Sequence, residues 1–395
     1  MRRIVVVGNG IAGLTACDSL RSAGFDGELT VVGAEVHRPY SRPALSKALL
    51  HGEEGSTAHE LPQPTHGARE LRGVSAVGLD PDRRTVRLAD GDLLPYDGLV
   101  IASGSRARKL TPPGQHGAAE VTLRTVEDAV ALRKRVAARP SVLVIGGGAL
   151  GMEVASGCLE AGCEVTLVSD GQPLVRQLGG YLAGIFAAAA ARRGLRLVPG
   201  SRAVLVQQDG GARVVLADGT VLEAELVVTA VGDEPNTEWL AGTGLLTGGM
   251  LQTDSRGRVR ADRVRPDIVA AGDVACFPGR FGAARVPLWT SAIDQARTAA
   301  GGLLHGDDAP ELDFQPYFWT EGFGLSLKAV GPVPPAGPPS YREAGNGEDS
   351  MLLRWGNPDG SGTSAALNYR IPVPKLRRLA NGGPGALPAK VPARL

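Results

Sequence analysis

The first apolar run of the chain, Ile4 to Val7, has no alternating polar position, so it predicts a short strand buried on both faces. Gly8-Asn9-Gly10-Ile11-Ala12-Gly13 follows directly, then a helical stretch from Leu14 that ends near Gly24, then a second strand, Leu29 to Val32. The plan returns later in the chain. Val142 to Ile145 is a strand and Gly146-Gly147-Gly148-Ala149-Leu150-Gly151 the turn. A helix then runs through Glu153 and Leu159 to Ala161-Gly162, ahead of a strand at Val165 to Val168. Gly8, Gly10, Gly13 and Gly24 recur as Gly146, Gly148, Gly151 and Gly162, each displaced by 138 residues. Two further apolar stretches run into small-residue turns: Leu99 to Ala102 into Ser103-Gly104-Ser105, and Ile268 to Ala271 into Gly272-Asp273.

Both repeated turns have the spacing GxGxxG. The first glycine makes the tight turn, the second lets a pyrophosphate approach the helix end, and the third lets helix and strand pack closely. One match of this kind is weak. Two, each between a strand and a helix and each followed by a second strand, predict two dinucleotide sites. One is held by Gly8, Gly10 and Gly13, the other by Gly146, Gly148 and Gly151. Glu35, just past the first unit's second strand, stands where a carboxylate accepts hydrogen bonds from a ribose. The second unit ends Leu167-Val168-Ser169-Asp170, with serine at the usual acidic position and the acid one residue on. Asp170 would repel a 2′-phosphate and no arginine lies among the next five residues, which favours NADH over NADPH; Arg176 is the nearest cation that could reach. Hydride transfer needs a donor stacked on an acceptor, so flavin at the first site and nicotinamide at the second is the economical assignment. Asp273 then places a carboxylate where a polyol chain could be held.

Composition narrows this further. Gly is 55 of 395 residues, roughly twice the ~7% of average proteins, without a collagen period. With only seven Phe, six Tyr and four Trp, the core must rest on Ala, Val and Leu, as suits parallel strands under helices. Forty-two Lys plus Arg against 41 Asp plus Glu leave a charge of +1, which supplies no broad field for nucleic acid or an anionic membrane. No run approaches the ~18 apolar residues of a membrane span, and the opening apolar run is too short for a signal peptide, so a cytoplasmic location is expected. Cys17, Cys158, Cys163 and Cys276 form no CxxC, and the six histidines form no HxxH, so no metal site is expected.

Beyond the glycine turns, Arg38-Pro39-Tyr40-Ser41-Arg42-Pro43-Ala44-Leu45-Ser46-Lys47 is the most specific stretch. It is joined by Leu123-Arg124-Thr125 with Asp128, Glu234-Pro235-Asn236, Ala271-Gly272-Asp273, Asp294-Gln295-Ala296-Arg297 and Pro316-Tyr317-Phe318-Trp319. On these residues the chain resembles the two-dinucleotide pyridine-nucleotide-dependent flavoproteins, and within them the FAD-dependent ferredoxin reductases that serve bacterial oxygenases. The resemblance implies an α/β fold with two Rossmann-like domains, for FAD and NAD, plus a C-terminal α+β interface domain. The implied boundaries are an FAD domain in two segments, 1–112 and 239–313, around an NAD(P)H domain at 113–238, with the interface domain at 314–395; the three Gly and three Pro of Gly382 to Pro392 predict that it ends in a mobile tail.

By the same resemblance FAD would touch Gly8, Gly10 and Gly13 through its pyrophosphate, Glu35 through the adenosine ribose and Ala76 through an adenine-side backbone contact. Arg42 and Arg124 would neutralise phosphate, Asp273 would bind the ribityl chain, and Trp289 would contribute backbone near the flavin's pyrimidine end. Lys47 would lie near the flavin ring, paired with Glu153, and Trp319 would stand on the side from which electrons leave, a place it can hold while also packing in the core. The implied reaction carries hydride from NADH to FAD N5, then single electrons to a [2Fe-2S] ferredoxin feeding an oxygenase such as a haem monooxygenase. A basic rim for an acidic ferredoxin is sought at Arg38, Arg42, Lys375, Arg377 and Arg378.

Three positions depart from the family pattern: Pro287 where an acid is common, Gly322 where glutamine is common, and Ser169. Two other readings stay open. A flavin-dependent disulfide or peroxide reductase would need a reactive thiol, for which Cys276, three residues after Asp273, is the first candidate. A nucleotide-sensing flavoprotein would need no catalysis at all.

Overall fold

The computed structural model describes residues 1–47, 59–111, 120–200, 203–208, 211–279, 282–347, 349–358 and 360–382. The tail expected from Gly382 to Pro392 lies outside them except for Gly382 itself, as do His51 and His116. The chain divides into two compact units, one of Met1–Ser41, Thr57–Arg106 and Asp233–Phe314, the other of Arg42–Ser56, Ala107–Gly232 and Gln315–Leu395.

The first unit is built on a six-stranded sheet in the order Arg258–Arg260, Val264–Ala270, Gly98–Ile101, Arg3–Val7, Glu28–Gly33, Arg69–Arg72. All neighbours run parallel except the Arg258–Arg260 edge strand. The late strand Val264–Ala270 thus returns to lie beside Gly98–Ile101, closing one sheet from segments far apart in the chain. The uninterrupted apolar run explains itself here. Ile4 and Val6 face one core with the helices Ile11–Ser22 and Trp289–His305, while Val5 and Val7 face a second core on the other side. Ala12, Ala16, Ala292, Ala296, Ala299 and Ala300 form much of the contact under the two helices, which accounts for a core so poor in aromatic residues.

The second unit repeats the plan. Its parallel sheet runs Arg196–Pro199, Glu164–Ser169, Ser141–Ile145, Leu226–Thr229, Glu120–Val121. A separate antiparallel sheet of five strands, Tyr317–Gly322, Leu325–Val330, Gly362–Leu367, Met351–Gly356 and Tyr341–Ala344, carries the helix Val373–Ala380 on one face. This is the α/β architecture expected, with the antiparallel α+β part at the C-terminal end. No helix among the described residues is long and apolar enough to cross a membrane.

A missed carboxylate fastens the edge of the second parallel sheet. Glu120 accepts from Leu110 N at 2.8 Å, Thr111 N at 3.0 Å, Thr229 Oγ1 at 2.8 Å and also from the Thr111 hydroxyl. Burial pushes its pKa up, but these four donors outweigh burial and leave it below the ordinary value. A depressed carboxylate contributes stability that is present above its unfolded pKa and lost as pH falls through the folded one. Glu120→Ala should therefore cost about 1–3 kcal/mol at neutral pH, because its donors lose their acceptor. The deficit against wild type should shrink below pH 4 in urea unfolding curves, and a deficit independent of pH would contradict the assignment.

Candidate nucleotide and redox sites

The repeat is stereochemical as well as sequential. Gly8 N donates to Val32 O at 2.8 Å, and Gly146 N to Val168 O at 2.9 Å. Gly8 sits at φ +117° and Gly146 at φ +119°, where only glycine is at ease. A Cβ on Gly8 would stand 2.0 Å from Ala102 O, and one on Gly146 2.2 Å from Ala230 O. The third glycines match equally: a Cβ on Gly13 would meet Gly8 O at 1.8 Å, and one on Gly151 would meet Gly146 O at 1.9 Å.

The middle glycines differ in kind, since among the described residues a Cβ on Gly10 would meet nothing within 4 Å and one on Gly148 only Gln177 Nε2, at 3.5 Å. Gly10 and Gly148 are the N-caps of Ile11–Ser22 and Ala149–Glu160, with no side-chain cap and no acid in the first turn. The first helix starts three residues before the Leu14 expected from sequence, because the backbone itself makes the cap. Both turns thus offer backbone N–H groups and open space to a phosphate, and the residues present fit a bound dinucleotide in each unit.

Around the first turn, Gly272 is held at φ +82° and donates its N–H to Gln295 Oε1 at 2.8 Å. The half-buried Asp273 next to it accepts from Ser105 Oγ at 3.4 Å, and its carbonyl takes Arg285 Nε at 2.6 Å. Glu35 accepts the Tyr40 hydroxyl at 2.5 Å, so the tyrosine of the Arg-Pro-Tyr stretch orients the ribose candidate. Ala76 opens the strand Ala76–Asp80, and Trp289 is the first residue of its helix, beyond a Leu288 N-cap that has no side-chain bond. Pro287 is exposed.

In the second unit the sequence expectation of a Lys47–Glu153 pair is met: Lys47 Nζ lies 2.9 Å from Glu153 Oε2, with side chains 17% and 6% exposed. Sequence reasoning missed what completes it. Ser46 Oγ also donates to Oε2, at 2.5 Å, and Thr320 Oγ1 donates to Oε1 at 2.7 Å. Both carboxylate oxygens are occupied, and a buried charge is tolerated only when so compensated. Thr320 comes from the strand Tyr317–Gly322, beside Trp319, whose ring stacks on Tyr317 with centroids 5.4 Å apart and planes 19° from parallel. Ser156, three residues after Glu153, receives the Phe323 N–H at 2.7 Å, and a Cβ on Gly322 would stand 3.4 Å from its Cβ. A Cβ there would make ordinary contact, so space alone does not require glycine at 322.

Arg42 Nη1 donates to the Arg124 carbonyl at 2.8 Å, and Arg124 N to Asp128 at 2.8 Å, so the two phosphate candidates are backbone neighbours. Of the basic-rim candidates, Arg38 is paired with Glu60 at 3.5 Å, and Lys375 and Arg378 are exposed while Arg377 is half-buried. Asp170 is exposed and paired with Arg176 at 2.5 Å.

All four cysteines are buried. Burial pushes the Cys17 and Cys158 thiols up to about 12 and raises Cys163 and Cys276 as well, which is the opposite of what a thiolate nucleophile requires. Cys276, the first candidate for reactivity, sits in the core on the strand Ala275–Gly279.

The pyridine nucleotide-disulphide oxidoreductase family matches residues 2–296. The chain belongs to this family. It is accordingly an FAD-dependent, pyridine-nucleotide-using oxidoreductase. It is 34% identical over 338 residues to rhodocoxin reductase of Rhodococcus erythropolis, covering 83% of this chain and 78% of that one. It is equally 34% identical over 339 residues to the ferredoxin–NAD(+) reductase component of the p-cumate 2,3-dioxygenase system of Pseudomonas putida, covering 83% and 81%. The solved covalent putidaredoxin reductase–putidaredoxin complex matches with a TM-score of 0.79 at 27% identity, over 93% of this chain and 90% of that one.

Proposed function

We propose that this oxidoreductase is an NADH-dependent ferredoxin reductase of an oxygenase system, passing electrons to a [2Fe-2S] ferredoxin in the cytoplasm. The observation that carries it is the compensated Lys47–Glu153 pair in a protein with two dinucleotide turns and no exposed thiol. Bound FAD supplies the ability to take two electrons together from a nicotinamide and release them singly. The chain supplies position and charge. Gly8, Gly10, Gly13, Glu35, Ala76, Asp273 and Trp289 are assigned to FAD together with Arg42, Arg124 and Lys47, and Gly146, Gly148, Gly151 and Asp170 to NADH. Glu153 keeps the Lys47 ammonium in place, Trp319 is assigned to the electron exit, and Lys375 and Arg378 are the rim cations for an acidic partner. The split FAD domain around an NADH domain, with the interface domain from residue 314, belongs to the same proposal.

The disulfide reading is disfavoured by the buried, raised thiols. Anaerobic addition of NADH should bleach the bound flavin within the mixing time, and a panel of [2Fe-2S] ferredoxins should restore its colour with at least one member. Slow bleaching that no ferredoxin reverses would overturn the proposal in favour of a nucleotide sensor. Asp273→Ala should in addition come off the column with little flavin, as read from its visible absorbance per protein.

A further inference from the structure

Asp273 is held from two sides. The strands Ala275–Gly279 and Gly282–Ala284 pair antiparallel, with Phe277 opposite Ala284. That return lays Arg285 beside Asp273, twelve residues back in the chain, where Arg285 Nε donates to the Asp273 carbonyl at 2.6 Å. Arg285 Nη2 donates to Asp233 Oδ2, and the two side chains are 20% and 28% exposed. On the other side, Ser105 Oγ donates to Asp273 Oδ2 at 3.4 Å.

Both holds end on neighbouring strands. Ser105 opens Ser105–Ala107 and Asp233 opens Asp233–Pro235, and these two strands form a sheet of their own. Asn236 ties that sheet to the turn before it: its N–H donates to Gly104 O at 2.9 Å, its Nδ2 donates to Ser103 O at 2.9 Å, and its carbonyl accepts Ser103 Oγ at 2.8 Å. Ser105, Asp273, Arg285 and Asp233 thus close a ring within the first unit. Arginine suits the fourth place in it. Nε and Nη2 lie in one rigid plane, so the carbonyl and the carboxylate they hold cannot shift independently, and Asp233 neutralises the charge.

We propose that Arg285 is a positioning residue for the flavin site: anchored on Asp233, it fixes the backbone of Asp273 and so aims the carboxylate that retains FAD. The inference rests on assigning Asp273 to FAD. Arg285 is given no contact of its own with the cofactor, and its effect runs through Asp273.

Release of flavin tests this without turnover. Each variant is saturated with FAD and diluted in a stopped-flow cell, and the rise in flavin fluorescence is followed. Arg285→Gln should release FAD about tenfold faster or more, equivalent to about 1.4 kcal/mol, with shifted visible flavin bands. Asp233→Asn should move both readings the same way but less, since the bond to the Asp273 carbonyl remains. Arg285→Lys should recover part of the loss, because an ammonium keeps one acceptor where the fork holds two. In an Asp273→Ala background, Arg285→Gln should add no more than about twofold, because no carboxylate is left to aim. Full additivity of these two substitutions would overturn the inference, as would Arg285→Gln with wild-type release and spectrum, even at a lowered thermal midpoint. If Arg285→Gln does not fold, Arg285→Lys carries the same comparison. Asp273→Ala that retains FAD as wild type does would instead overturn the assignment of Asp273 beneath it.

Discussion

Gly8→Ala should yield a protein that has lost its FAD, whereas Gly146→Ala should yield a yellow protein that no longer takes NADH. The two substitutions are chemically identical and stereochemically almost so. Each puts a Cβ at φ near +120°, which costs on the order of 1–3 kcal/mol in backbone strain alone. Each also drives that Cβ to within 2.2 Å of a carbonyl oxygen, Ala102 O or Ala230 O. No flexible side chain stands there to yield, so the strand-to-helix turn must move, and with it the N–H groups that would face a pyrophosphate. What separates the outcomes is which cofactor each turn serves. Flavin per protein from the visible spectrum reads the first site, and calorimetric titration with NAD+ reads the second, where a loss of about a hundredfold or more is expected from the displaced turn. Circular dichroism on both variants checks that each remains folded. If Gly146→Ala were the colourless one and Gly8→Ala the yellow one, the two sites would have to be exchanged.

Both turns were legible in the chain because everything a phosphate turn needs lies within about ten consecutive residues. The apolar runs were legible for the same reason, since Val5 and Val6 are both apolar only because both faces of their sheet are covered. The rest depended on contacts between distant segments. Nothing in Ser46 or Thr320 announces that each donates to Glu153, 107 and 167 residues away. Ser46 nevertheless lies inside the Leu-Ser-Lys stretch and Thr320 beside Trp319, so a reading that asked what neutralises Glu153 could have found both. Glu120 carries no such sign, because the segments whose donors meet on it pack together only in the fold. Arg176, six residues past Asp170, is already the nearest candidate cation in the sequence, but its ion pair with Asp170 is visible only in the fold.

Lys47→Met should keep its FAD and lose about a hundredfold in the rate of flavin reduction by NADH, a typical loss for removing one preorganised charge from a water-poor site. Glu153→Ala should do more damage by a different route. Among the described residues the Lys47 ammonium would keep only the Pro43 carbonyl, at 3.3 Å, and the Ser46 and Thr320 hydroxyls would lose their acceptor. Breaking one side of a buried pair in this way costs about 3–5 kcal/mol. Removing both sides removes the orphaned charge, so Lys47→Met with Glu153→Ala should regain a large part of that stability in urea, a coupling of about 1–3 kcal/mol. Its reduction rate should not recover, because the charge is still missing. Thr320→Ser should match wild type in both readings, and Thr320→Val should fall between wild type and Glu153→Ala in stability. The divergence of stability and rate in the double variant is the decisive reading, since a pair that served packing alone would bring both back together. A double variant reduced at the wild-type rate would remove Lys47 and Glu153 from the chemistry.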